Sequence, residues 1–385
     1  MYAYAIGLLA QIFANAFLLW RGNAALPKHG PWRRLFTIFI LAEVLFYFIG
    51  YPFYITKKHE VVGFFMNITN PWFFFLIYAG LFTVILELLA LIDRYTLRWY
   101  RYLKPQRKTP LRATLFVAVA IGSAGLLLHG IQKMDYPITK HLTIATPHAA
   151  IDGRKSIRIA FIADTHMSCY ITERQIRRME KIILENKPDV LLVGGDIFDN
   201  ESYWGYKPEL MHYFRHMAKE IPLGCFFVMG NHEYRQNTQK KKEWVAQVGG
   251  KLLIDDVALV GNCFYLIGRD DATQEKTRKP LQELLKHIPA DKPTILLEHQ
   301  PKEIDRIAQT NIDLSLFGHT HAGQIFPFTL MVRAKYPLVY GLMKKNNHFF
   351  YVTSGVGGAA TDIRIGTRSE VVIIDFQFAN NKNTK

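Results

Sequence analysis

Cysteine is scarce in this 385-residue sequence: Cys169, Cys225 and Cys263 are odd in number and share no ligand-like spacing. That argues against a disulfide framework or a thiolate metal site, and leaves the three as small apolar core fillers. Acidic residues are also short, 32 against 47 Lys and Arg, for a net charge of +15. The deficit is lopsided. Residues 1–150 hold 15 Lys and Arg against 5 Asp and Glu, a surplus of +10; the remainder holds 32 against 27, a surplus of +5. The downstream part lacks a basic and aromatic stripe of the kind that binds single strands, so no nucleic acid is expected as a partner. Internal repeats, low-complexity tracts and heptads are missing as well. No basic residue precedes the first apolar stretch and Arg21 follows it, so an uncleaved span is expected although Ala14-Asn15-Ala16 resembles a cleavage site.

Long apolar runs, by contrast, are plentiful at the start: Tyr2 to Trp20, Leu35 to Thr56, Pro71 to Asp93 and Ala113 to Ile131. Each approaches the roughly 20 residues that cross a hydrocarbon core as a helix, so residues 1–134 read as a four-helix transmembrane domain. Loops one and three carry most of the Lys and Arg, the second only Lys57 and Lys58. Positive loops stay in the cytoplasm, which places both termini and the downstream domain outside, in the periplasm of a bacterial inner membrane. The basic clusters beside the spans suit an anionic bilayer as partner. Gln11, Asn15, Glu43 and Glu87 fall within the spans, where polar side chains serve either function or helix-to-helix adhesion.

Residues 135–153 form a connector with Pro137 and Pro147, in which Leu142 to Ile144 offers an edge strand. A single domain follows over 154–378, and 379–385 is a polar tail. Short apolar runs at 157–163, 190–193, 226–229, 294–297 and 314–317 alternate with helical periodicity at 173–186 and 242–248. Further strands at 251–254, 257–260, 264–267, 349–353 and 370–376 predict an α/β domain with a mixed sheet.

Five polar clusters sit at the ends of those runs: Asp164-Thr-His166, Gly195-Asp196-x-x-Asp199, Gly230-Asn231-His232-Glu233, Glu298-His299-Gln300 and Gly318-His319-Thr-His321. Function at the carboxyl ends of buried strands is what open α/β sheets provide. Carboxylate, carboxamide and imidazole delivered to one rim form a ligand set for two divalent cations. Imidazole with carboxylate suits Mn, Fe or Zn better than Mg or Ca. Two such ions about 3.5 to 4 Å apart clamp the attacking and leaving oxygens of a phosphate ester, so the set points to phosphoester hydrolysis.

Those five motifs, in that order, resemble the calcineurin-like metallophosphoesterase superfamily. The closing Ser354-Gly-Val-Gly-Gly, Ile363-Arg-Ile-Gly and Ser369-Glu370 are similar to its bacterial membrane-associated and exported branch. His321-Ala-Gly-Gln departs from the His-Gly-Gly-Gln common there. The resemblance implies a four-layer αββα sandwich with two mixed sheets, one ion held by Asp164, His166 and His321, the other by Asn231, His299 and His319, and Asp196 bridging. His232, next to Asn231, is expected as general acid held by Asp199, and Arg364 as a phosphate contact. Glu233 stays open between support of the ligands and a solvated loop. Asp255-Asp256 and Asp270-Asp271 read as turns, and His212, His216 and His287 as surface residues. The expected enzyme is a membrane-anchored dinuclear-metal phosphoesterase acting on a phosphomonoester or phosphodiester, of a lipid or cell-envelope intermediate. The alternatives are a nucleotide-linked acyl-sugar pyrophosphatase at the cytoplasmic face and a catalytically silent sensor or scaffold.

Overall fold

The structure, a computed structural model, describes residues 2–27, 31–55 and 59–379, with backbone alone for 2–8 and 50–55. Lys28, Lys57 and Lys58 of the loop-charge reading, and 380–385 of the tail, lie outside the described residues. Contacts divide the chain into Met1–Gly130 and Ile131–Lys385.

The first unit is helical: α1 (Tyr2–Ala25), α2 (Trp32–Ile55), α3 (His59–Tyr95), the single turn α4 (Trp99–Tyr102) and α5 (Pro105–Asp135). Two of these, α3 and α5, are long and apolar enough to cross a membrane. Both run well past the apolar runs that announced them, and Pro71 and Pro110 lie inside the helices rather than at their starts. Leu18, Ile40, Leu76, Ala79 and Val119 meet in a small core, while Phe13, Ile38, Leu89 and Ile121 remain exposed. Asn15 acts as adhesive, as Trp72 Nε1 donates to its Oδ1 at 2.9 Å, linking α3 to α1. Glu87 forms an ion pair with Arg21, a partner just beyond the first run.

The second unit is a sandwich of two six-stranded sheets. One is ordered β1 (Ile138–Ala145), β12 (Glu370–Gln377), β2 (Ser156–Ile162), β3 (Val190–Val193), β4 (Cys225–Phe227), β5 (Lys251–Leu252). Here β12 runs parallel to β1 and antiparallel to β2, with Ile157 opposite Phe376, and β2 to β5 are parallel. The other is ordered β10 (Gly341–Lys345), β11 (His348–Val352), β9 (Leu314–Phe317), β8 (Thr294–Leu297), β7 (Phe264–Gly268), β6 (Asp256–Val260). Its four inner strands are parallel and its two edges antiparallel, so both sheets are mixed, as expected.

Alternation along the strands builds the layers. Ile159, Phe161 and Leu192 face Leu266, Ile295 and Leu316 between the sheets. The intervening Ala160, Ile162 and Leu191 turn outward onto α6 (Glu173–Glu185), α7 (Pro208–Glu220) and α8 (Thr238–Gln247). On the far side, Ile267, Leu296 and Phe350 pack on α9 (Leu281–Leu285) and α10 (Ile304–Ile307). The result is the four-layer αββα order. Strands apolar on both faces are why the sequence shows unbroken runs there. The connector carries a longer strand than expected, because β1 extends 142–144 to eight residues. Sequence reading missed β10, α7, α9, α10 and α11 (Phe328–Lys335).

Candidate metal centre

Asp164, Asp196, Asn231, His299 and His319 each follow a strand, β2, β3, β4, β8 and β9 respectively, by two to four residues. The turns that deliver them are tight. Asp164, His166, Asp196, His319 and His321 take left-handed backbone with φ of 57°, 48°, 51°, 72° and 49°. Non-glycine residues held there cost of order 1–3 kcal/mol each, strain that clusters at functional sites. Two glycines permit the convergence: a Cβ on Gly230 would run into Asp196 Oδ1, and one on Gly318 into Asp164 Oδ2.

Six of the seven expected ligands converge at this rim, and Asn231 lies between Gly230 and His232, both of which approach Asp196. Asp164, His166 and His321 offer atoms within 4.8 Å of one another, as do Asp196, His299 and His319, and as do His166, Asp196 and His232. His321 Nε2 lies 3.0 Å from His166 Nε2 and 3.5 Å from Asp164 Oδ1. Asp196 Oδ2 lies 3.0 Å from His299 Nε2 and 3.8 Å from His166 Nε2, so it stands between the two groups. Asn231 Oδ1 is buried and accepts no hydrogen bond.

Neighbouring groups set which nitrogen is offered. His299 Nδ1 donates to the Gly194 carbonyl at 2.7 Å, so its Nε2 is the nitrogen that faces the Asp196 carboxylate. His319 Nε2 meets Tyr336 Oη at 2.8 Å, leaving Nδ1 toward the cluster, 3.3 Å from His299 Nε2. Partners of this kind fix ligand tautomers. His232 Nδ1 reaches the Asp199 carbonyl at 2.5 Å and lies 3.0 Å from its Oδ1, which turns Nε2 toward Asp196 Oδ2, 3.9 Å away.

Carboxylate and imidazole atoms crowded within 4.8 Å of one another and an orphaned carboxamide oxygen are what cations between these groups would satisfy, so the residues fit a divalent pair. Burial pushes the Asp164 carboxyl up to about 6. Burial likewise lowers His319 to about 3, helped by His299, and holds His321 below its ordinary value. Both imidazoles are therefore neutral at pH 7, the form that ligates metal. At His299 burial pulls down, but the Asp196 carboxylate outweighs it and raises the imidazole well above the usual range. Asp199 falls below the carboxylate range, because His166 and His232 beside it overcome its burial.

Other expectations resolve here. Glu233 is buried and supports the ligand loops, accepting backbone N–H groups from Asp196, Ile197, Phe198 and Gly230 at 2.7–3.1 Å. Arg364 is fully buried and donates to the carbonyls of Ser354, Gly355 and Gly357. It braces the loop behind Asp164, a position that lends no support to a phosphate contact. Asp270 and Asp271 are buried braces, with Gln300 Nε2 donating to both Asp271 oxygens at 3.0 Å. Sequence reading missed Tyr336 and Lys241, whose buried ammonium donates to the His232 carbonyl at 2.7 Å and that of Asn200 at 2.9 Å. Neither carries a motif signal.

An αββα sandwich with Asp and His groups meeting at its strand ends defines a metal-dependent phosphoesterase working with two divalent ions. Residues 157–323 match the family model described as calcineurin-like phosphoesterase, and the domain belongs to that family. Among its relatives is an uncharacterized metallophosphoesterase of Helicobacter pylori strain J99, 26% identical over 375 residues, or 94% of this chain and 98% of that one. A transmembrane protein with metallophosphoesterase domain from Danio rerio is 28% identical over 275 residues, covering 67% of this chain and 62% of that one. The protein of the same description from Bos taurus is 25% identical over 410 residues, covering 96% and 89%.

Proposed function

We propose that the chain is a multi-pass enzyme of a bacterial inner membrane that hydrolyses a phosphomonoester or phosphodiester of a lipid or cell-envelope intermediate. The observation that carries the chemistry is Asp196 standing between the His166 and His299 groups, with His232 at the edge. Asp164, His166 and His321 would hold one ion, Asn231, His299 and His319 the other, with Asp196 common to both. Mn, Fe or Zn suits such donors. Bound there, the pair supplies Lewis acidity to the phosphoryl oxygens and to the attacking water. His232, positioned by Asp199, gives its Nε2 proton to the leaving oxygen.

The membrane part of the reading rests on α1, α2, α3 and α5 as four spans, with the basic first and third loops inside and the domain in the periplasm. Relatives described as transmembrane proteins support it. A reporter fused after the last residue reads the side directly, and cytoplasmic activity would favour the acyl-sugar pyrophosphatase instead. The chemical test is turnover of bis-p-nitrophenyl phosphate by the Mn-loaded full chain. Wild type should exceed Asp196→Asn by at least about 10³ and His232→Ala by roughly 10²–10⁴, the usual range for removing an acid–base group. Equal turnover in all three would overturn the mechanism.

A further inference from the structure

The loop after His321 leads into α11, and this helix shows its apolar side to solvent. Phe326, Phe328, Leu330, Met331, Tyr340 and Leu342 are 43–69% exposed in one stretch of chain. Monomeric soluble surfaces seldom leave such runs uncovered, and contiguous ones mark interaction sites. The same stretch is poor in acids: no Asp or Glu occurs between Asp313 and Asp362, while Arg333, Lys335 and Lys344 are exposed within it and Lys345 pairs with Asp305 from a neighbouring segment. Aromatic and aliphatic side chains beside Arg and Lys, with acids excluded, are the composition of a surface that lies on an anionic bilayer. A protein partner of ordinary mixed charge would not require that exclusion.

We infer that α11 and the following β10 form a docking face for anionic phospholipid headgroups and the upper acyl region. It rests on the proposed lipid-linked substrate and sharpens it. The face is built onto the metal centre: α11 ends at Tyr336, which bonds His319, and Thr320 Oγ1 donates to the Val339 carbonyl at 2.6 Å. Gly323 backs onto Thr329 so closely that a Cβ there would strike its Cα. A bilayer touching Leu330 and Met331 therefore brings headgroup phosphates to the rim where Asp196 sits, while acyl chains stay in the lipid. The substrate class that fits is a phosphoester whose hydrophobic part never leaves the membrane.

The test uses the full chain, one copy per lipid nanodisc, with an environment-sensitive fluorescent amino acid in place of Met331, or of Gln239 on exposed α8 as control. With phosphatidylglycerol and bromine-labelled acyl chains, the 331 probe should shift to the blue and be quenched at least fivefold more than the 239 probe. Pure phosphatidylcholine should weaken the effect. Adding Leu330→Glu should abolish the quenching while bis-p-nitrophenyl phosphate turnover stays within twofold of wild type. A 331 probe as unquenched as the control overturns the docking face, as does quenching that survives Leu330→Glu. So does a blue shift confined to discs holding two copies, which would make the occupant a second chain. Quenching is read without catalysis, so an inert but quenched protein sinks the hydrolase reading alone.

Discussion

At His299 a backbone carbonyl chooses the tautomer, and this has a measurable effect on metal uptake. The Asp196 carboxylate holds a proton on that imidazole, and burial lifts Asp164 to about 6, so binding a cation must expel protons. Affinity for Mn should fall as pH drops through about 6, by roughly tenfold per unit for one proton displaced. Titration calorimetry at pH 5, 6 and 7 in two buffers would show it, and an affinity flat across that range would contradict it. Glu233→Gln should leave buried N–H donors unmet at a cost of about 1–3 kcal/mol. For a domain of this size that is a fall of several degrees in Tm by calorimetry. The convergence of the proposed ligands was legible in sequence because Asp, Asn and His at apolar run ends have few other uses in such an order. Tyr336 and Lys241 were not, since a lone tyrosine or lysine acquires its role only from what folding sets beside it. Arg364 shows the converse: a charge in a suggestive motif whose fully buried position turns it into a brace.

Among the elements, those with both faces buried announced themselves and those at edges did not. β3, β8 and β9 are four buried residues each, and the sequence placed their ends to the residue. β10, with Lys344 and Lys345 exposed, carries no such pattern. α7 was readable in principle, since Pro208 sits in its first turn and Leu210, Met211, Phe214 and Met217 share its buried face. Intervening His and Lys obscured that periodicity. α11 is short and apolar on its exposed side, the reverse of the rule by which helices are recognised. Two predictions belong here. Tyr336→Phe removes the partner that orients His319 and should weaken the ion held with His299 by 10–100-fold, roughly the usual effect of an outer partner. Elemental analysis would then find closer to one metal per chain, whereas two retained at wild-type affinity would remove Tyr336 from the account. Trp244, on the buried side of α8 against Phe198 and Phe214, should cost about 3–5 kcal/mol as Trp244→Ala, read from denaturant melts of the purified chain.

For the molecule as a whole, sequence composition separated the helical part from the sandwich because lipid and water select opposite surfaces. The extent of α3 and α5 was less legible, since a helix continues past its apolar stretch wherever polar residues still favour its backbone. One feature of the sandwich bears on how the chain is made. β12 follows every other described strand in the chain, yet it lies inside its sheet between β1 and β2. Truncation before Glu370 should therefore leave protease-sensitive polypeptide rather than a trimmed enzyme, and a resistant 131–369 fragment would refute this. All eleven other described strands leave the ribosome before that gap can be filled, and the apolar helices leave it before any of them. Maturation thus runs in a fixed sequence, the helices first and a closed catalytic sheet only once β12 has taken its place.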